Sequence, residues 1–110
     1  MNLTVSLRRK KINMKTPEER EAFYKKLKSQ LSDTTLWPSE YLYKFIVKTD
    51  ASKIETVESI FNHLGAVITT NASKNGKYTS ISVNVRLKNP DQVIEKYKEV
   101  ATKIPDVISL

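Results

Sequence analysis

From Tyr41 to Leu110 the spacing of apolar residues switches between two periods, and each switch marks an element. Tyr41, Tyr43, Phe45 and Val47 alternate with Leu42, Lys44, Ile46 and Lys48, which predicts a strand over 41–48 with the first set toward the core. Ile54, Val57, Phe61 and Leu64 then recur at helical spacing, and Ile60 widens the stripe. Asp50-Ala51-Ser52 opens this helix, with Ser52 and Glu55 spaced as a capping box, and Gly65 is placed to end it. Strands follow over 66–73 and 78–88, joined across Asn75-Gly76. That pair suits a two-residue turn in which both positions take positive φ. Such a turn sets Ile68 opposite Val83, Ala66 opposite Val85 and Thr70 opposite Ile81, all pointing inward. Thr69 with Ser82, Val67 with Asn84 and Asn71 with Ser80 point outward. Asn89-Pro90-Asp91 caps a second helix lined by Val93, Ile94, Tyr97, Val100, Ala101 and Ile104. Pro105 stops it, and a short last strand is expected over 107–110.

Ahead of this pattern, Thr16, Pro17 and Glu19 spell a helix start with a capping box, and Phe23, Leu27 and Leu31 share one face. A helix is expected over 17–31, ended by Ser32-Asp33-Thr34-Thr35, with Trp37-Pro38 leading into the first strand. Residues 1–15 show no sustained period. They read as a disordered basic arm, or residues 1–13 lie upstream of a native start at Met14. The chain thus divides into an arm (1–15), a helix with its linker (16–36) and one domain (37–110).

Strand, helix, hairpin, helix, strand is the order of a ferredoxin-like α+β sandwich, a two-layer βαββαβ fold with antiparallel strand order 4-1-3-2. The right-handed crossover rule selects that topology over its mirror. Both helices would cover one sheet face. The other would carry Leu42, Lys44, Ile46, Thr69, Asn71, Ser80, Ser82, Asn84 and Arg86. Its apolar part calls for a partner, a ligand or the amino-terminal helix.

Composition changes this picture little. The net charge is +7, but Arg8, Arg9, Lys10 and Lys11 supply four of the seven. Residues 14–110 carry 15 Lys and Arg against 12 Asp and Glu, which leaves +3, an ordinary solvated surface. The chain has no cysteine, so it forms neither disulfides nor thiolate metal sites, and a reducing cytoplasm is the expected location. No apolar run approaches the roughly 18 residues needed to cross a bilayer, so no membrane association is expected.

Three segments resemble the YbeD-like family of small uncharacterised bacterial proteins. They are Trp37-Pro38-Ser39-Glu40-Tyr41 running into Tyr43-Lys44-Phe45-Ile46, the hairpin Ser73-Lys74-Asn75-Gly76-Lys77-Tyr78-Thr79-Ser80-Ile81-Ser82-Val83, and the ending Ile104-Pro105-Asp106-Val107. The resemblance spans residues 23–110. One departure is Val47-Lys48-Thr49, where the family's first strand closes with a glycine. The resemblance implies a ferredoxin-like fold similar to ACT-type regulatory domains and a role in binding or regulation. It implies no reaction.

Candidate chemistry is sparse. His63 is the sole histidine, so a catalytic triad would need the fold to bring serine, His63 and a carboxylate together. Its place near a helix end suits a surface or capping role. Glu18, Glu19 and Glu21 suit the first turn of a helix, Glu55 and Glu58 a solvated face, and no carboxylate cluster has metal-ligand spacing. Gly65 and Gly76 both have structural positions, which leaves no phosphate-cradling loop. The expectation is a non-enzymatic domain without cofactor. It would bind a protein client, a second copy or a small ligand on the outer sheet face or a sheet edge, near Lys44, Ser80, Ser82 and Arg86. The alternative is RNA binding by the basic arm and the sheet face, with Lys44, Lys48, Arg86 and Lys88 meeting phosphates. Against it, the stacking aromatics of sheet-type RNA binders are missing from the outer face of the third strand, Tyr78 excepted.

Overall fold

The computed structural model describes residues 16–110, so the basic arm lies outside the described residues. The elements are α1 (Pro17–Thr34), β1 (Ser39–Lys48), α2 (Ala51–Phe61) with a 3₁₀ turn (Asn62–Leu64), β2 (Val67–Ala72), β3 (Tyr78–Leu87), α3 (Pro90–Lys103) and β4 (Ile108–Ser109). The four strands form one sheet in the order β2-β3-β1-β4, with every neighbouring pair antiparallel. This is the expected 4-1-3-2 order read from the opposite edge. The architecture is α+β, three α-helices against a four-stranded antiparallel sheet.

Alternation along β1 and β3 builds the core. Tyr41, Tyr43, Phe45 and Val47 of β1 and Ile81, Val83, Val85 and Leu87 of β3 are all buried. Val57, Ile60 and Phe61 of α2, and Val93, Ile94, Tyr97 and Val100 of α3, close over them. The buried phenols find partners, as burial requires. Tyr43 donates to the Val93 carbonyl at 2.9 Å, and the Tyr41 and Tyr97 hydroxyls lie 2.8 Å apart.

The capping box of α1 forms as expected. Thr16 Oγ1 accepts from the Glu19 N–H at 3.1 Å, and Glu19 Oε1 accepts from the Thr16 N–H at 3.0 Å. The helix runs to Thr34 rather than Leu31. Nothing in Ser32-Asp33-Thr34 forbids helical dihedrals, and Thr34 turns its hydroxyl back onto the Gln30 carbonyl at 2.7 Å. The buried stripe is Tyr24, Leu27 and Leu31, and Phe23 sits half-buried beside it. Tyr24 wins the inward place because it stacks on Tyr97 of α3, with centroids 6.3 Å apart. Ion pairs Lys28–Asp91 at 2.7 Å and Glu21–Lys98 at 3.1 Å tie the same two helices. The amino-terminal helix therefore joins the helical layer, and among the described residues nothing covers the other sheet face.

Two local expectations are corrected. The cap of α2 is Asp50, not Ser52: Asp50 Oδ1 accepts from both the N–H and the hydroxyl of Ser52, each at 2.8 Å. The residue preceding the helix has the extended backbone a cap needs, and Ser52 is already inside. The hairpin turn is not a two-residue one. Within the turn only Gly76 takes positive φ, at 74°, and no non-glycine among the described residues does. Ser73 and Tyr78 close the ladder through a 2.8 Å bond, and the Gly76 N–H donates to the Ser73 carbonyl at 2.9 Å. Asn75 keeps an ordinary φ because its side chain accepts from Ser73 Oγ and the Lys77 N–H, both at 3.0 Å. A loop of four residues and a turn of two share the same strand offset. The pairs from Val67 with Asn84 to Asn71 with Ser80 accordingly stand as expected, although Ala66 falls just outside β2.

Candidate functional site

The sheet face away from the helices is the candidate site. Its rows follow from the register. Glu40 stands beside Arg86, Leu42 beside Asn84, Lys44 beside Ser82, Ile46 beside Ser80, and Lys48 beside Tyr78. From the other side Val67, Thr69 and Asn71 of β2 extend the middle three rows, and Ile108 of β4 continues the row of Ile46. Lys44, Ser80, Ser82 and Arg86, expected to mark an interface, thus lie on two adjacent strands of one open face. Lys44 and Arg86 are exposed and the two serines half-buried. Ser80 Oγ leans onto the Asn71 carbonyl at 3.4 Å.

The face has a sign. Its strands carry Lys44, Lys48 and Arg86 against a single acid, Glu40. The ion pairs are made elsewhere, by helix lysines: Lys28, Lys53, Lys96, Lys98 and Lys103. Lys44 and Arg86 make no ion pair among the described residues. The face also has apolar content, with Val67 66% and Leu42 45% exposed on either side of Asn84. Tyr78, 42% exposed, is the one aromatic on these outer positions and stands beside Lys48. Alternation located all of these positions, but their crowding into shared rows required the register of three strands.

Lys96 is the residue that pattern reading missed. It is buried on α3, where its Nζ donates to the Ile60 carbonyl at 3.2 Å and to Glu99 Oε1 at 3.1 Å, and lies 6.0 Å from the Phe61 ring centre. It closes the carboxyl end of α2, where backbone carbonyls lack helical partners. Partial burial pushes the Glu99 carboxyl up, but hydrogen bonds and charge from Lys96 and then Lys103 outweigh it and hold the group below its ordinary range. Asp106 is likewise lowered, first by the hydrogen bond from Lys53, against slight desolvation. The Ser52 hydroxyl and N–H lower Asp50. None of these groups faces the open sheet surface as a poised acid or base.

Other constellations are absent or spoken for. His63 is exposed on the 3₁₀ turn. Among the described residues no three His, Cys, Asp or Glu side chains gather as a metal site. No helix of the described residues is long and apolar enough to cross a membrane. A cleft of about 490 Å³ between the start of α1 and the end of α3 is lined by Pro17, Arg20, Tyr24, Thr102, Pro105 and Ser109 among others, and the Glu21–Lys98 ion pair crosses it. Burial raises the Tyr24 phenol there, with Arg20 opposing and Glu21 adding to the effect.

These features define a small α+β domain with one sheet face packed, the other bare and cationic, and no assembled catalytic group among the described residues. The chain belongs to the family described as "Protein of unknown function (DUF493)", whose model matches residues 32–109, and to which the YbeD-like proteins also belong. Most of α1 precedes the matched segment. No curated protein and no solved structure matches the chain.

Proposed function

We propose that the chain is a non-enzymatic, ACT-like binding domain of ferredoxin-like fold, working in the cytoplasm, that docks its open sheet face on an acidic surface of a client protein. The carrying observation is where α1 sits. It packs on α3 and, among the described residues, leaves Lys44, Lys48 and Arg86 exposed on a sheet face with one acid. Complementary charge would speed encounter and reject partners of the wrong sign. Two copies of this face carry the same excess of cations and so repel each other.

The test is capture from the source cell by wild type and by Lys44→Glu with Arg86→Glu, after nuclease treatment. The reading requires a nuclease-resistant partner, cross-linked through Lys44 to an acidic segment, whose recovery falls at least about tenfold with the double variant. An unchanged partner overturns it. Partners lost to nuclease, with bound RNA, move the cations and Tyr78 to the RNA reading, in which Tyr78 is the one available stacking surface.

A further inference from the structure

The two edges of the sheet are unlike. At one, β4 has only two residues, too short to template another strand. At the other, β2 has six residues, Val-Ile-Thr-Thr-Asn-Ala, and the stretch from Gly65 to Ser73 contains no charged residue and no proline. Charges, proline and bulges are the usual devices that keep a free edge from pairing, and this edge has none of them. It is also open on both sides. Thr70 and Ala72 point toward the helical layer yet are exposed, and Ile68 is only half-buried.

The direction of the free backbone groups follows from the hairpin. Ser73 donates its N–H across to Tyr78, so Ser73, Asn71, Thr69 and Val67 turn their amides toward β3. The bond from the Thr49 N–H to the Lys77 carbonyl agrees, since it turns the alternate residues of β3 toward β1. Ile68, Thr70 and Ala72 consequently aim their N–H and C=O groups away from β3, where they meet no partner among the described residues. We propose that a second copy of this chain occupies this edge: β2 pairs antiparallel with β2 of the partner about a two-fold axis at Thr70, joining the two sheets into one of eight strands.

Three observations choose a second copy over an unrelated strand. The edge sequence is uncharged, so self-pairing opposes no like charges. An antiparallel self-pair uses up both long edges and leaves the two short β4 edges outside, so assembly closes at two. Val67 and Ile68, the apolar side chains of an otherwise thinly covered strand, gain cover in the same step. The edge and the cationic face use different groups, so this proposal stands or falls apart from the docking reading.

Two measurements test it on the full chain. Sedimentation over a concentration series is expected to show a mass twice the chain's 12.6 kDa. Hydrogen exchange is expected to show the Ile68, Thr70 and Ala72 amides slowing as the concentration rises. Thr70→Lys should return the protein to the monomer mass with an unchanged far-ultraviolet spectrum, and Thr70→Pro should do the same by removing one edge-facing donor without touching the ladder to β3. Lys44→Glu should leave the dimer intact. A wild type that stays monomeric throughout overturns the proposal, as does a dimer that survives both Thr70 variants. Protection of those amides only when a foreign strand is added overturns it in favour of a client peptide.

Discussion

Lys96 shows how a charged residue can serve as a core residue. Its stem lies in the apolar layer between α2 and α3, and its ammonium ends on the Ile60 carbonyl and Glu99. Lys96→Met keeps the stem and removes the donors, which orphans a helix-end carbonyl. We expect a loss of about 1–3 kcal/mol at neutral pH, read from denaturant midpoints. The loss should shrink in acid. Glu99 titrates lower in the folded protein than in the unfolded chain, so its pairing is present above the unfolded carboxylate value of about 4. It is lost as pH falls through the lower folded value. A gap between wild type and variant that widens in acid would contradict this assignment.

At the scale of elements, α1 is an added layer fixed by a narrow stripe. Leu27 is 4% exposed and Leu31 4%, and Trp37 Nε1 donates to the Leu31 carbonyl at 3.2 Å. Leu27→Ala should cost about 2–4 kcal/mol. Because Trp37 is the only tryptophan, its fluorescence should report the helix loosening. A fluorescence midpoint well below the far-ultraviolet midpoint would mean that α1 detaches alone. The sequence made the elements legible because period, caps and turn residues agree. The hairpin register was legible even with the turn type wrong, since both loop lengths share one offset. The Asp50 cap was not, because Ser52 and Glu55 offered an equally plausible spacing. Docking of α1 on α3 was not legible either. Phe23 and Tyr24 are neighbours on the helix, and only Tyr97, 73 positions further along the chain, decides which of them turns inward. Alternation placed Lys44, Ser80, Ser82 and Arg86 on the outer sheet face, but whether α1 covered that face depended on its docking.

Across the whole molecule the acids gather on helices and loops, and the strands keep one. Raising ionic strength should therefore weaken client capture by the sheet face, with little effect on pairing through the uncharged β2 edge. Titrating salt in the capture and sedimentation experiments separates the two surfaces. Equal salt sensitivity of both would contradict the division. The positions of the α1 start and of the carboxyl end follow from features already described. Pro17 and Ser109 line the same cleft, and the Leu110 N–H donates to the Lys44 carbonyl at 3.0 Å. The first helix therefore begins, and the chain finishes, at the β4 rim. A fluorophore or fused domain attached there would ride at the far end of the sheet from β2, and in a β2-joined pair the two attachments would stand at opposite extremities. A label at the carboxyl end would therefore report the full width of the joined sheet, whereas a probe on the Lys74–Lys77 loop, at the tip of the β2–β3 hairpin, would sit nearer the seam.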